Sequence, residues 1–337
     1  MSAIQQLATT HEAPANKGLL TICKAAADPL RLDVLRVLSD ESFGVLELCR
    51  IFDTTQPGMS HHLKILAGAA LVETRREGNS VFYRRALIAS EDPLREMVAS
   101  LFETIDQMPL RDDILAGIAR VYEERTESSR RFFEKHSAQL AEHQALIAEY
   151  EQYSASLEEV IRNEQIPTSA AVLEIGPGGS DLINLLARTF DRTTALDNSD
   201  EMLAQARKTV TDKHLGKVKF LLGEPEHLVR QSRRFDLVVL NMVLHHLPSP
   251  PRLFRTAREL LNEAGRLLII DLKPHNQTWA RDICGDLWFG FEPGDIDDWA
   301  RDAGLDKGQS VYLGLKNGFQ VQIRLFHQLQ PSIHPTN

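Results

Sequence analysis

Val172-Leu173-Glu174-Ile175-Gly176-Pro177-Gly178-Gly179-Ser180 passes from a short β-rich run into a glycine loop, and a helix is expected from about Asp181. Glycines placed after a strand let the backbone approach a ligand at the carboxyl end of a sheet. Outward from this stretch, β-rich runs at 172–175, 193–197, 218–222, 235–241 and 266–271 alternate with helical segments. That alternation predicts βαβ units and an α/β doubly wound parallel sheet. Residues 319–327 alternate apolar and polar, which predicts an added antiparallel strand.

A short glycine loop is weak evidence for any one ligand, and three further features narrow it. Glu174 lies two places before Gly176, Asp197 ends the second strand 21 residues after Gly176, and Gly223-Glu224 follows the third strand. A carboxylate at the end of the second strand suits hydrogen bonds to ribose hydroxyls. A dinucleotide site would want glycine at 181, where Asp181 would set a negative charge beside a pyrophosphate.

With Ala195-Leu196-Asp197-Asn198-Ser199-Asp200-Glu201-Met202-Leu203, Phe235-Asp236-Leu237-Val238-Val239 and Leu260-Leu261-Asn262-Glu263-Ala264-Gly265-Arg266-Leu267-Leu268, the set resembles class I S-adenosylmethionine-dependent methyltransferases over about residues 165–328. The resemblance implies a Rossmann-like fold and a pocket for S-adenosylmethionine or S-adenosylhomocysteine. By position, Glu174, Gly176 and Gly178 would border the methionine moiety, Asp197 would hold the ribose, Glu224 would lie near the adenine, and Asn241 would close the set. The chain departs from the family at Ser180, where a third glycine is common, and at Asn262-Glu263-Ala264, where Lys-Pro-Gly is usual. Asn241, His245 and His246 follow the fourth strand, where such enzymes meet an acceptor. Either histidine could act as a base near neutrality; equally, the pair could cap or pack a helix. Arsenic methylation needs several cysteines around the acceptor, and only Cys284 lies in this half.

The first hundred residues read differently. Asp28-Pro29 is an N-cap followed by proline at the first helical position. A short helix over 44–52, the turn Asp53-Thr54-Thr55 and a third helix over 56–67, with Thr55 as N-cap, form a helix-turn-helix pattern. Runs at 71–76 and 81–85 flank Glu77-Gly78-Asn79-Ser80 as a hairpin would. Gln56, Ser60, His61 and Lys64 fall on the third helix, where side chains reach major-groove base edges. Arg75, Arg76, Arg84 and Arg85 on the hairpin would meet phosphates or the minor groove, or else form an ordinary solvated face.

The order Asp28-Pro29-Leu30-Arg31, Gln56-Pro57-Gly58-Met59-Ser60-His61-His62-Leu63-Lys64-Ile65-Leu66, Arg75-Arg76-Glu77-Gly78-Asn79-Ser80-Val81-Phe82-Tyr83 resembles the ArsR family of winged helix-turn-helix repressors over about 70 residues. The resemblance implies a homodimer on double-stranded operator DNA, released by a small effector. Many members sense metals through a Cys-x-Cys pair. Here Glu47-Leu48-Cys49-Arg50-Ile51 offers one cysteine, so no metal site is expected.

Composition bounds these readings. At 337 residues, 43% hydrophobic and 25% charged, the chain can fill more than one core. The 38 basic and 47 acidic residues give −9, which argues against nucleic acid. Counted by region the charge points the other way: residues 54–86 hold five basic and two acidic side chains, a net +3, whereas 91–337 sum to −10. Three scattered cysteines suit a reducing compartment, and neither a membrane span nor a signal peptide is evident, so a cytoplasmic protein is expected. Helical stripes fill residues between the two patterns: one through Leu94, Met97, Val98, Leu101 and Ile105, one through Ile114, Ile118 and Val121, and one from Leu140 to Ile161.

The expected plan is a flexible tail (1–15), a winged helix domain (16–89), a helical connector or dimerisation region (90–165) and a methyltransferase-like domain (166–330). Two functions follow: a regulator, expected to be a repressor, that senses the methionine cycle through an adenosyl ligand, or a working methyltransferase with an attached DNA reader.

Overall fold

The computed structural model describes residues 14–77, 80–86 and 91–328. It divides into two compact units, Met1–Val121 and Tyr122–Asn337, and the division falls inside the segment 90–165. The first thirteen residues of the expected tail, and Gly78-Asn79 of the hairpin turn, lie outside the described residues.

The first unit comprises α1 (Pro14–Ala26), α2 (Pro29–Val37), β1 (Phe43–Gly44), α3 (Val45–Ile51), α4 (Gln56–Gly68), β2 (Val72–Glu77), β3 (Ser80–Arg85), α5 (Arg95–Asp106) and the start of α6 (Asp112–Ile147). Asp28 caps α2 by accepting the N–H of Arg31 at 3.0 Å, and Pro29 opens the first turn, where its missing N–H costs nothing. Glu47 accepts the N–H of Gly44 at 2.7 Å and so starts α3. Thr55 holds the N-cap position of α4, but its side chain makes no capping bond. Met59, Leu63 and Leu66, at helical spacing on α4, face a core that also takes in Leu35, Phe43, Leu48 and Leu71.

The hairpin pairs Val72 with Arg85 through to Glu77 with Ser80, and β1 adds a third strand antiparallel to β3. A two-residue strand such as β1 leaves no periodic signal in sequence. Near the start of α6, Gly117 packs on the backbone of Ile51, at the end of α3. A Cβ at 117 would stand 2.8 Å from the Ile51 Cα.

The second unit holds the rest of α6, α7 (Ser154–Asn163), β4 (Ala171–Ile175), α8 (Leu182–Thr189), β5 (Arg192–Asp197), α9 (Asp200–Thr209), α10 (Asp212–Leu215), β6 (Val218–Leu222), α11 (Pro225–Arg230), β7 (Phe235–Asn241), α12 (Pro250–Leu260), β8 (Leu261–Leu272), α13 (Trp279–Cys284), α14 (Pro293–Asp302), β9 (Leu305–Gly314) and β10 (Gln320–Gln328). The strands form one sheet in the order β6-β5-β4-β7-β8-β10-β9. All neighbours from β6 to β8 are parallel, while β10 runs antiparallel to both β8 and β9.

The chain lays β4, β5 and β6 outward on one side and returns to place β7 on the other side of β4. It therefore reverses its progression between β4 and β7, where a doubly wound sheet opens its crevice. Val172, Leu237, Val239, Leu268, Ile270, Val321 and Ile323 from the sheet pack with Leu182, Leu186 and Phe190 of α8 and its end to form the main core. The helical runs are divided otherwise than their stripes suggest. α6 is one 36-residue helix that includes Leu140 and Ile147, and the break before α7 falls at residues 148–153.

Candidate functional site

A cavity of about 660 Å³ opens at the carboxyl ends of β4, β5, β6 and β7 in the second unit. Four strand-end loops supply its wall: 175–181, 196–199, 223–226 and 241–249. Gly176, with φ +66°, makes the turn out of β4, and a Cβ there would meet Val243 Cγ2 at 2.6 Å. Only glycine satisfies both the left-handed backbone and that contact. Gly178, also on the wall, has φ +50°.

Asp197 and Glu224 reach the same cavity from β5 and β6. Burial, with the Glu224 carboxylate adding to it, pushes Asp197 up to about 6 against the pull of the Ser199 N–H. That N–H donates to Asp197 Oδ1 at 2.9 Å, and Asn198 Nδ2 donates to Glu224 Oε1 at 2.9 Å. The two carboxylates thus keep oxygens available along one edge of the cavity, an arrangement that accepts hydrogen bonds from hydroxyl or amino groups. Glu174 differs from the rest of the predicted set, because it does not line the cavity. It is 0% exposed, and neither carboxylate oxygen has a hydrogen-bond partner among the described residues. Burial raises its pKa well above the usual carboxylate range.

Asn241, at the end of β7, accepts the Tyr153 hydroxyl at 3.0 Å and donates to Ser180 Oγ at 3.0 Å. Its amide is committed to joining the glycine loop to the segment before α7, an orienting arrangement rather than proton transfer. Ser180, which in sequence reads only as a missing glycine, has this bond as its reason.

His245 and His246 both line the cavity. His245 Nδ1 is 2.8 Å from Asp271 Oδ1, and its Nε2 is 3.8 Å from Asp286 Oδ1. Burial pulls the His245 pKa down, but Asp271 and Asp286 outweigh it and push the value up to about 9. His246 goes the other way: burial, with His245 beside it, holds it well below the usual value. The two carboxylates therefore favour the charged form of His245, whereas burial and the neighbouring His245 favour the neutral form of His246. Burial, with Asp286 adding to it, pushes the Cys284 thiol, also on the wall, up to about 12.

The contribution of α6 has no counterpart in the sequence motifs. Tyr122, Thr126, Ser129, Arg130 and Phe133 form one side of the cavity. Arg125 donates to the Pro248 carbonyl at 2.8 Å, and Ser129 Oγ lies 3.4 Å from the His246 carbonyl. The Phe133 and His246 rings meet edge-on at 4.9 Å. These partners lie more than a hundred positions apart, which no local pattern exposes.

In the first unit, Gln56, Ser60, His61 and Lys64 of α4 are exposed, whereas Met59 and Leu63 are buried. Positions 56, 60 and 64 share one stripe by their four-residue spacing. The hairpin arginines are not equivalent. Arg84 Nε is 2.5 Å from Glu73 Oε1, Arg75 pairs with the fully buried Glu77, and Arg76 is exposed on the other face of β2. Arg85 does not belong to that surface. It donates to the Leu35 carbonyl at 2.6 Å, forks onto Asp106 of α5 at 2.7 and 2.5 Å, and stacks on Phe102. This fork is the geometry in which arginine clamps a carboxylate, so Arg85 holds the hairpin to α2 and α5.

Residues 26–75 match the family model of a helix-turn-helix domain, and residues 173–269 that of a methyltransferase domain. The arsenical resistance operon repressor of Staphylococcus xylosus is 41% identical over 68 residues, 20% of this chain and 65% of that protein. The ubiquinone biosynthesis O-methyltransferase of Coxiella burnetii is 24% identical over 166 residues, 44% of this chain and 70% of that protein. Among solved structures, a 1,6-didemethyltoxoflavin-N1-methyltransferase of Burkholderia thailandensis aligns with a TM-score of 0.48 at 19% identity, over 66% of this chain and 92% of that one.

Proposed function

From a chain that joins an ArsR-like helix-turn-helix domain to a Rossmann-like methyltransferase domain, we propose a DNA-binding regulator whose methyltransferase-like domain binds S-adenosylmethionine or S-adenosylhomocysteine. The observation that carries the reading is the cavity at the switch point, where the Gly176 loop, Asp197 and Glu224 converge. The cradle fits the ligand class: a backbone turn bare of side chain for close approach, one carboxylate for ribose hydroxyls and another for an adenine amino group. Asp197 and Glu224, both on the wall, give the cavity the acidic character suited to a cation, whereas the buried Glu174 behind the loop is held toward its neutral form.

S-adenosylmethionine, when bound, brings a sulfonium cation and an electrophilic methyl group. S-adenosylhomocysteine is neutral and one methyl smaller, so one acidic pocket distinguishes them by charge and by volume. In this reading Asn241 orients the glycine loop through Ser180, and α6 shields the cavity from water. Regulation requires the two ligands to differ in how they favour the DNA-competent homodimer, a coupling typically of about 1–3 kcal/mol. On the DNA, the exposed face of α4 would read base edges, and Arg76 and Lys64 would meet phosphates.

Calorimetric titration of the full chain with each adenosyl ligand, with and without DNA from its own promoter, tests the proposal. The expected result is a different affinity for one ligand when DNA is present. Identical binding in all arms would overturn it.

A second reading, an active methyltransferase, is favoured by one observation: His245, backed by the buried Asp271, stands on the wall of a cavity that continues to Phe133, Tyr150 and Cys284. Labelled methyl appearing on an acceptor, and abolished by Asp197→Ala, would establish it. Absence of transfer to small-molecule, protein and nucleic-acid acceptors would reject it.

A further inference from the structure

Two histidines of the cavity wall and a carboxylate behind them form a group that the adenosyl pocket does not use. His245, His246 and Asp286 are all buried, and each offers one donor atom, with the three atoms within 4.8 Å of one another. Nε2 of His245 and Nδ1 of His246 each lie 3.8 Å from the same carboxylate oxygen, Asp286 Oδ1. We propose that these three side chains form a binding site for a borderline divalent cation such as Zn²⁺.

Three observations support the assignment. The first is orientation. Asp271 Oδ1 sits 2.8 Å from His245 Nδ1 and also accepts the N–H of Leu272 at 2.7 Å. A carboxylate fixed in this way holds the proton on Nδ1 and directs Nε2 toward Asp286, so that a cation would displace the Nε2 proton and take its lone pair, as metal-ligating imidazoles are commonly arranged. The second is prior alignment. The His245 carbonyl accepts the N–H groups of Leu287 and Trp288 at 3.0 and 3.1 Å, and Trp288 Nε1 donates to the Leu247 carbonyl at 2.8 Å. The turn bearing both histidines is therefore pinned to the loop bearing Asp286, although the two are about forty residues apart in sequence.

The third is the chemistry and spacing of the donors. Two imidazole nitrogens and one carboxylate oxygen suit zinc and its first-row neighbours, whereas magnesium and calcium prefer oxygen alone. A cation about 2.0–2.2 Å from each donor sets tetrahedral donors about 3.4 Å apart. The two nitrogen–oxygen separations of 3.8 Å need to contract by only a few tenths of an ångström, and the two imidazole nitrogens, within 4.8 Å of each other, would draw together as the cation binds. His246 Nδ1 also lies 3.3 Å from the Gly285 carbonyl, a long contact that coordination would replace.

Three protein donors leave a position open, as in catalytic rather than structural zinc sites. Both imidazoles belong to the cavity wall, so that position would take water, or an oxygen or sulfur of a molecule within the cavity. Nothing in the sequence pattern points to a metal, because the cysteines show no paired spacing, and none of them is among these ligands.

The test uses the full chain stripped with a chelator and titrated with Co²⁺. The expected result is visible absorption that saturates at one ion per chain and is displaced by Zn²⁺, with affinity reduced at least about tenfold in Asp286→Asn and in His246→Gln. No saturable signal, or affinity unchanged in both variants, would overturn the site. If either variant fails to fold, the other decides. If both fail, X-ray absorption of the zinc-loaded wild type decides, with nitrogen and oxygen ligands supporting the site and sulfur ligation rejecting it. Titration of the same samples with S-adenosylhomocysteine keeps this outcome separate from that of the adenosyl reading.

Discussion

Gly176 has two independent constraints, a positive φ and the Val243 side chain 2.6 Å from where a Cβ would stand. Gly176→Ala is expected to cost about 1–3 kcal/mol of stability, read by urea denaturation, and to remove measurable adenosyl binding by calorimetry. Asp197 gives a pH signature. Its folded-state value of about 6 lies above the ordinary 3.8, so the folded chain holds this proton more tightly. The associated stability is fully present below pH 3.8 and is lost as the pH rises through 6. Asp197→Asn should therefore gain stability relative to wild type between about pH 4 and 7. Adenosyl affinity should rise over the same range in wild type, as the ribose-accepting carboxylate ionises, and stay flat in the variant. At this scale the sequence is legible where chemistry is local: the glycine loop and the acidic residue at each strand end can be read from position. The partners of His245 cannot, because Asp271 and Asp286 arrive from other segments and only the folded sheet brings them to one imidazole.

The hairpin shows how an element redistributes what a count suggests. The net +3 of residues 54–86 treats five bases alike, yet Arg75 and Arg84 face Glu77 and Glu73, and Arg85 is engaged by Asp106 and the Leu35 carbonyl. Arg76→Ala is accordingly expected to lower the slope of log K against log salt by about 1, and Arg84→Ala to lower it by less. Equal slopes in the two variants would remove the distinction. Arg85→Ala should instead destabilise the first unit by about 1.5–3 kcal/mol, the usual worth of hydrogen bonds to a charged group, measurable as a fall in Tm. Strand and helix positions follow from the sequence where periodicity is strong. β6 and β7 coincide with the runs expected, and α4 with the third helix to within a residue. β9 does not, because its outward side chains do not alternate cleanly, and neither does the continuity of α6, whose weak stripe reads as two pieces.

Across the whole chain, the net charge of −9 and the helix-turn-helix domain are reconciled by location, since residues 91–337 carry −10. Among the described residues, no helix is long and apolar enough to cross a membrane. The regulator proposed above should show its coupling only in the intact protein. Operator affinity measured at saturating S-adenosylmethionine and at saturating S-adenosylhomocysteine is expected to differ by about 5–150-fold, and the same factor should appear in ligand affinity when DNA is added. The contact of Gly117 with the Ile51 backbone bears on how such a protein would fail. A single added methyl group there strains the packing by about 1–3 kcal/mol while leaving every cavity-lining and DNA-facing side chain unchanged. If the proposed regulator is a repressor, a genetic selection for cells that escape its control should therefore recover alleles at codon 117. Their products should bind adenosyl ligands normally yet fail to hold the operator.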